Sequence, residues 1–230
     1  MDLLPADTTL DERDRSATVA VLPIGSCEQH GPHLPLTTDT VVAATLTAEI
    51  ADVYPVRRLP PITFSCSHEH AAWPGTVSIS ATTLVAVVHD IAASLRRAGV
   101  AQLVLVNGHG GNYVLGNVVQ EASLGPLRMA LFPGEADWEA ARAAAGLETS
   151  AVTDMHAGEL ETSILLHAHP HLVRPHFERA DEVADDRPHL LSRGLQAYSE
   201  SGVVGRPSRA SAPKGRDLLA SLVRSFAAHL

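Results

Sequence analysis

Apolar runs and amphipathic segments alternate along this chain, and their spacing predicts alternating strands and helices. The runs at 17–24 and 100–106 contain little polar alternation, as is typical of strands that are covered on both faces of a sheet. Between Ser80 and Gly99, which are typical residues for a helix N-cap and C-terminus, the apolar residues follow helical spacing. They are Leu84, Val87, Val88, Ile91 and Leu95.

The remaining patterns complete a repeating order of strand and helix. They predict helices at 40–51, 112–124, 137–145, 158–168 and 214–228, an extended segment at 56–64 and a strand at 127–132. This order is typical of an α/β fold, a three-layer α-β-α sandwich with a largely parallel central sheet. We predict one catalytic domain over 1–230. Residues 170–213, rich in Pro, Arg, Ser and Gly, are predicted to be an irregular excursion that covers the site or contacts a neighbouring subunit.

Composition narrows the classes of protein and partner. An apolar share of 45% with 19% charged residues is that of a folded globular protein. The net charge of −9 argues against a nucleic-acid partner, which selects basic surface. No apolar run approaches the roughly 20 residues that a membrane span needs. Two cysteines and an N-terminal segment without a signal-peptide pattern predict a cytoplasmic location.

Three potential metal ligands follow the first apolar run. Glu28 and His30 are two residues apart, so in an extended chain they share one face and aim at one point. Asp39 follows His30 by nine residues, just before the helix predicted at 40–51. Its position fits either a helix N-cap or a metal ligand, and its proximity to Glu28 and His30 favours the ligand.

His109 lies in a glycine-rich turn after the second buried strand. The turn contains Gly108, Gly110 and Gly111, which leave backbone N–H groups free to approach a ligand at the start of the next helix. A tight strand-to-helix turn with a structural histidine is the alternative. We interpret the turn as part of a site, with His109 as a metal ligand and Gly110 and Gly111 as substrate-binding residues.

A third histidine, His156, precedes the helix predicted at 158–168. Glu159 and Glu161 cannot share a face of that helix, because two residues correspond to about 200° of rotation. One of them is therefore expected to face the site, and their spacing does not decide which. Favourable charge in the first turn of a helix is the alternative for both.

The segment at 67–76 contains His68 and His70, a possible metal pair, and Trp73. We interpret it as a loop of the substrate pocket with an aromatic lid, and we predict that His70 and Trp73 bind substrate. Cys27 and Cys66 have no evident base partner, and small buried thiols are common. They are therefore not predicted to be catalytic.

Taken together, these motifs resemble those of the creatininase family of metal-dependent amidohydrolases, from about residue 18 to the C-terminus. The motifs are Gly25-Ser26, Glu28-Gln29-His30-Gly31-Pro32-His33-Leu34-Pro35, Thr38-Asp39, Glu69-His70, Trp73-Pro74-Gly75-Thr76, Asn107-Gly108-His109-Gly110-Gly111-Asn112, His156-Ala157-Gly158, Glu161-Thr162-Ser163 and Gly202-Val203-Val204-Gly205.

The resemblance implies a homohexamer with two divalent cations in each subunit, zinc before manganese or iron. Glu28 and His109 would hold one cation, His30 the other, and Asp39 would bridge them. True creatininases carry a glutamate ligand at the position of Gly111, so a replacement is needed, and Glu161 is the candidate.

We therefore hypothesise an enzyme that hydrolyses a non-peptide C–N bond in a small amide, cyclic amides included, through a metal-activated water. His156 would pass a proton to the leaving nitrogen, and Glu161 completes the catalytic residues. Gly110 and Gly111 would stabilise the oxyanion through their backbone N–H groups. A formamide hydrolase and a peptidase acting on a short peptide of the mycofactocin-precursor type are alternatives. A regulatory or scaffold protein with a decayed site is the alternative outside the enzymes.

Overall fold

The computed structural model describes residues 2–230, and its centre is a parallel β-sheet. Met1, the first residue of the predicted domain, lies outside the described residues. Every strand pairing is parallel, and Ile24 lies opposite Asn107, so the two central strands end level with each other. Within residues 2–230 the strand order is β2-β1-β3-β4, formed by β1 (Val19–Ile24), β2 (Arg57–Arg58), β3 (Gln102–Asn107) and β4 (Arg128–Phe132).

Helices cover both faces of this sheet. They are α1 (Thr9–Arg15), α2 (Thr38–Val53), α3 (Ala81–Arg97), α4 (Val114–Ala122), α5 (Glu135–Ala144), α6 (Glu159–Ala168), α7 (Leu190–Arg193) and α8 (Ala212–Ser225). On one face α3 and α4 share a core with Leu22 and Leu103. On the other face α2, α5, α6 and α8 share a core with Val21 and Val104. The predicted three-layer sandwich is confirmed.

Alternate side chains along a strand pack into the two hydrophobic cores on opposite faces of the sheet. In β1, Leu22 and Ile24 belong to the core beneath α3 and α4, and Val21 belongs to the opposite one. All three are at most 1% exposed. Because side chains of a strand alternate between faces, a strand that is buried on both faces has no polar positions, which explains the unbroken apolar runs of the sequence.

The predicted elements are present, with ends that differ by at most three residues. The exception is the extended segment at 56–64, which forms only the short β2 and a bridge from Ile62 to Ile24. Pro60 and Pro61 interrupt it because proline has no N–H to donate. The short helix α1 was not predicted, and Val87 of the predicted apolar stripe is 37% exposed. The N-cap at Ser80 is confirmed, since its hydroxyl accepts the N–H of Thr83 at 3.1 Å.

The late segment at 170–213 contains 3-10 turns and the short helix α7 rather than long elements. At Val204 it lies against the segment that precedes α6, where it forms an antiparallel bridge with His156. Across the described residues, no helix combines the length and the apolar character that crossing a membrane requires.

Glu159 ties α6 to α8 and to the preceding loop. Its fully buried carboxylate accepts the ammonium of Lys214 at 2.5 Å and the hydroxyl and N–H of Thr149 at 2.6 and 3.0 Å. Burial raises the pKa of Glu159, but the hydrogen bonds from Lys214 and Thr149 outweigh burial, so its pKa lies below the usual value. The carboxylate is therefore ionised and holds three chain segments together.

We expect Glu159→Ala to lower the free energy of unfolding by roughly 3–5 kcal/mol, because it leaves the N–H groups of Glu148 and Thr149 without their acceptor and removes the buried partner of Lys214. Glu148→Ala is the matched control: Glu148 also pairs with Lys214 but is 55% exposed, and exposed pairs contribute about 1 kcal/mol or less. Urea unfolding of both variants measures the difference.

Because the pKa of Glu159 is lower in the folded than in the unfolded protein, its contribution to the free energy of unfolding is present above the unfolded pKa. That contribution is lost as pH falls through the folded value. Equal effects of the two substitutions would contradict this role.

Candidate metal centre

The site lies where β1 and β3 end beside the first turn of α2. Two glycines permit this approach. A Cβ on Gly25 would lie 2.2 Å from the Thr40 backbone nitrogen, and a Cβ on Gly108 would lie 2.4 Å from the Asp39 carbonyl oxygen. The segments that follow both strands therefore meet the start of α2, which brings Glu28, Asp39 and His109 together.

Asp39 lies between two imidazoles. Its Oδ1 is 2.9 Å from His30 Nε2, its Oδ2 is 3.0 Å from His109 Nδ1, and Oδ2 also accepts the Ser26 hydroxyl at 2.7 Å. Burial raises the pKa of Asp39, but the nearby His30 and His109 outweigh burial and hold that pKa well below its usual range. Asp39 is the second residue of α2 and points into the site, so it does not act as the N-cap; Thr37 has the N-cap position.

Glu28 is fully buried, and its two carboxylate oxygens face three histidines. Oε2 lies 3.2 Å from His109 Nε2, while Oε1 lies 3.3 Å from His70 Nε2 and 3.7 Å from His156 Nδ1. Within residues 2–230 neither oxygen has a well-aligned hydrogen bond. Burial raises the pKa of Glu28. A buried carboxylate without a well-aligned hydrogen bond is costly, and a divalent cation is a partner that satisfies it.

His30 and Glu161 form the other side of the site. The ring N–H at His30 Nδ1 donates to the Glu28 carbonyl oxygen at 3.1 Å, which turns Nε2 towards Asp39 and, at 3.9 Å, towards Glu161 Oε1. Burial raises the pKa of Glu161 to about 8. Glu161 is thus the α6 carboxylate that faces the site, whereas Glu159 faces Lys214.

Three sets of side chains place potential ligand atoms within 4.8 Å of one another. They are Glu28, Asp39 and His109; His30, Asp39 and Glu161; and Glu28, His30 and His156. Asp39 is common to the first two sets, the arrangement that two neighbouring cations with a bridging carboxylate require. Each set supplies three protein ligands, which leaves positions open for water or substrate, as in catalytic metal sites.

His156, a member of the third set, lies between His30 and His70, with its ring tilted by about 40° against each of theirs. The ring centroids of His30 and His70 lie 4.2 and 4.3 Å from that of His156. The His156 Nε2–H donates to the Gln29 carbonyl oxygen at 2.7 Å, which leaves Nδ1 facing Glu28. Burial and the neighbouring His30 and His70 hold the pKa of His156 well below its usual value, so the ring is neutral.

Gln29 fixes the tautomer of His70. Its side-chain amide donates to the Gly202 carbonyl oxygen at 3.0 Å and to His70 Nδ1 at 2.9 Å. Burial, followed by the charge of His109, lowers the pKa of His70 to about 3. His70 is therefore neutral, with its proton on Nε2 and directed towards Glu28.

Two cavities meet at the site. A cavity of about 110 Å³ forms its mouth and is lined by Glu69, Gly110, Gly111 and Tyr113 together with the site histidines. A larger cavity of about 330 Å³ also touches His109, Gly110 and Glu161 and extends along α5 to Trp138. Substrate atoms on either side of a scissile bond therefore have room next to the site.

The structure brings together all five predicted metal ligands and His156, and it places His70, Gly110 and Gly111 at the mouth. Trp73 instead packs against a small apolar cluster around Leu195, with its ring centroid 6.4 Å from that of His70. Its role in the substrate pocket stays a prediction. Sequence reasoning assigned no role to Glu69 or Trp138. The adjacency of Glu69 to His70 was the one available signal, whereas nothing local marks Trp138.

The sequence of this chain is similar to those of known proteins. The sequence profile of the Creatininase family, described as creatinine amidohydrolase, matches residues 6–230. A mycofactocin precursor peptide peptidase from Mycobacterium ulcerans (strain Agy99) is 37% identical over 216 residues, covering 88% of this chain and 80% of the relative. A creatinine amidohydrolase from Pseudomonas putida is 28% identical over 189 residues, covering 74% and 70%.

The fold is shared with solved structures of creatinine amidohydrolases. A crystal structure of creatinine amidohydrolase superimposes with a TM-score of 0.82 at 23% sequence identity, covering 99% of this chain and 96% of that one. At this identity the likeness concerns the fold alone.

Proposed function

Because this chain belongs to the creatininase family, we propose that it is a metal-dependent hydrolase that cleaves an amide C–N bond in a short peptide. The observation that supports the metal is the buried Glu28 carboxylate, whose oxygens have no well-aligned hydrogen bond within residues 2–230. The observation that supports the peptide is the likeness to a mycofactocin precursor peptide peptidase over 88% of the chain.

The donor atoms fit two divalent cations. Glu28, Asp39 and His109 would hold one, and His30, Asp39 and Glu161 the other. Mixed imidazole and carboxylate donors suit zinc, manganese and iron, and zinc is our proposal. When bound, such cations lower the pKa of a water molecule and polarise a carbonyl group.

The protein's own residues would handle the proton and the oxyanion. His156 is neutral, and its Nδ1 is directed into the site, so this atom can accept a proton and deliver it to the leaving nitrogen. The backbone N–H groups of Gly110 and Gly111 donate to no backbone acceptor in the described part of the chain. They are thus free to bind the oxygen of the scissile carbonyl as it gains charge.

The two adjoining cavities favour a peptide over a single small ring. The larger one alone, at about 330 Å³, falls in the range that binds drug-sized ligands. A peptide would place its scissile amide at the mouth cavity and further residues along α5. Contacts remote from the scissile bond raise kcat/KM when they position that bond.

A direct comparison of substrates tests this proposal. The metal-loaded enzyme is incubated with a mycofactocin precursor peptide and, separately, with creatinine, a lactam and a formamide, and products are followed by mass spectrometry. We expect cleavage of the peptide with a much larger kcat/KM than for any small amide. Hydrolysis of a small amide with an intact peptide would contradict it.

That contrary result would support the second candidate, hydrolysis of a non-peptide C–N bond in a small amide. This candidate is favoured by the family description and by the Pseudomonas putida relative, both named for creatinine. The homohexamer implied by the family resemblance and the cytoplasmic location predicted from the sequence remain proposals, with gel filtration and cell fractionation as their tests.

A further inference from the structure

The loop that follows β2 lies directly on the glycine-rich turn after β3. The N–H of Cys66 donates to the Asn112 side-chain oxygen at 3.2 Å, and the His109 Nε2–H donates to the Cys66 carbonyl oxygen at 2.8 Å. Asn112 in turn donates to Asn107 at 3.0 Å. These hydrogen bonds fix the loop against the glycine-rich turn. The residue three positions after Cys66 therefore has a fixed position next to that turn.

That residue is Glu69, and its carboxylate points into the mouth of the metal centre. The side chain is 13% exposed, and its one ion-pair contact within residues 2–230 is His109, with Oε1 3.6 Å from Nε2. The same Nε2 also faces the Cys66 carbonyl oxygen at 2.8 Å and Glu28 Oε2 at 3.2 Å, whereas Nδ1 faces Asp39. Glu69 lies outside the three sets of potential ligands.

The carboxylate of Glu69 occupies the space in which a side chain at position 111 would begin. A Cβ on Gly111 would lie 2.0 Å from Glu69 Oε1 and 2.4 Å from His109 Nε2. Gly111 does not have a positive φ, so its backbone conformation does not require glycine. The neighbouring Gly110 is different, because a Cβ there would meet nothing within 4 Å. Glycine is therefore needed at 111 because any larger side chain would overlap Glu69 and His109.

We propose that Glu69 is a positioning residue of the metal centre that acts through His109. Its negative charge, together with the Cys66 carbonyl oxygen, holds the proton on Nε2, which keeps Nδ1 free for the cation shared with Glu28 and Asp39. Carboxylates behind metal-binding histidines fix the ring in this way, and their loss typically weakens metal binding about 10- to 100-fold. The inference rests on the proposed metal centre and assigns a role to the glycine at 111.

Chelator competition on purified protein tests this role without measuring activity. We expect Glu69→Gln, which removes the charge and keeps the shape, to raise the Kd for Zn²⁺ about 10-fold or more. We expect Gly111→Ala to raise it similarly, because the methyl group displaces both Glu69 and the His109 ring. Gly116→Ala is the matched control and should keep the wild-type Kd, because Gly116 is an exposed residue of α4 where a Cβ meets nothing within 4 Å. The thermal midpoint of metal-free Glu69→Gln, measured alongside, should equal that of metal-free wild type.

Each outcome decides the role of Glu69. If Glu69→Gln binds Zn²⁺ with the wild-type Kd, Glu69 is not a positioning residue. This holds even if Gly111→Ala weakens binding, because the methyl group at 111 would then act only by crowding His109. A lowered thermal midpoint of metal-free Glu69→Gln would also overturn it, because Glu69 would then be a structural residue. Failure of the wild-type protein to bind Zn²⁺, Mn²⁺ or Fe²⁺ would instead overturn the proposed function.

Discussion

Replacing Asp39 with asparagine is expected to remove bound metal and to lower kcat/KM by about 10³-fold or more. Asparagine keeps the shape of the side chain but has no charge and replaces one carboxylate oxygen with an NH2 group, so it cannot bridge two cations. Metal ions contribute several kcal/mol to the stabilisation of a hydrolytic transition state, and each 1.4 kcal/mol corresponds to a factor of ten. Metal analysis and peptide hydrolysis measure the two effects on the same preparation.

Asp90→Asn is the control for Asp39→Asn, because Asp90 is an exposed residue of α3, on the other face of the sheet. It should keep both the metal content and kcat/KM. Asp39 also accepts the Ser26 hydroxyl and contacts two imidazoles, so circular dichroism must show that the variant is folded. A folded Asp39→Asn protein with wild-type metal content and activity would rule out a bridging role.

Removing divalent cations from the wild-type protein is expected to lower its thermal midpoint by about 10 °C. A ligand present at 1,000 times its Kd stabilises a folded protein by about 4 kcal/mol. For a chain of this size each kcal/mol corresponds to roughly 2–4 °C. The physical reason lies in Glu28, whose buried oxygens have no other well-aligned donor within residues 2–230. Differential scanning calorimetry with and without a chelator measures the shift.

Glu28→Gln isolates the source of that shift. The neutral amide removes the buried charge and one cation ligand, so chelation should change the thermal midpoint of this variant much less than that of wild type. Glu12→Gln is the control, because Glu12 lies in α1, outside the site. A wild-type midpoint that is unaffected by chelation would contradict the assignment of Glu28 as a metal ligand.

The core of the fold was predictable because its signals are local. The runs that became β1 and β3 are apolar on both faces, and the stripe of α3 has helical spacing, so each is visible within one window of sequence. β2 was not predictable as a two-residue strand, because Pro60 and Pro61 end the pairing in a segment that otherwise looks extended. Val87 fits the helical stripe, yet the edge of α3 on which it lies is exposed.

The metal centre was predictable where its residues follow strands. Glu28, His30 and His109 come directly after β1 and β3, and parallel strands end at the same edge of a sheet. Which carboxylate of α6 faces the site was not predictable, because it depends on Lys214, 55 residues further along the chain. The link between Glu69 and Gly111 depends on contact between two loops, which local spacing cannot reveal.

The most direct test of the account is a crystal structure of metal-loaded protein with anomalous data collected at the zinc edge. We predict two anomalous peaks about 3.5–4 Å apart on either side of Asp39, one against Glu28 and His109 and the other against His30 and Glu161. A map in which Glu28, His30 and His109 point to different regions, with no peak among them, would contradict it.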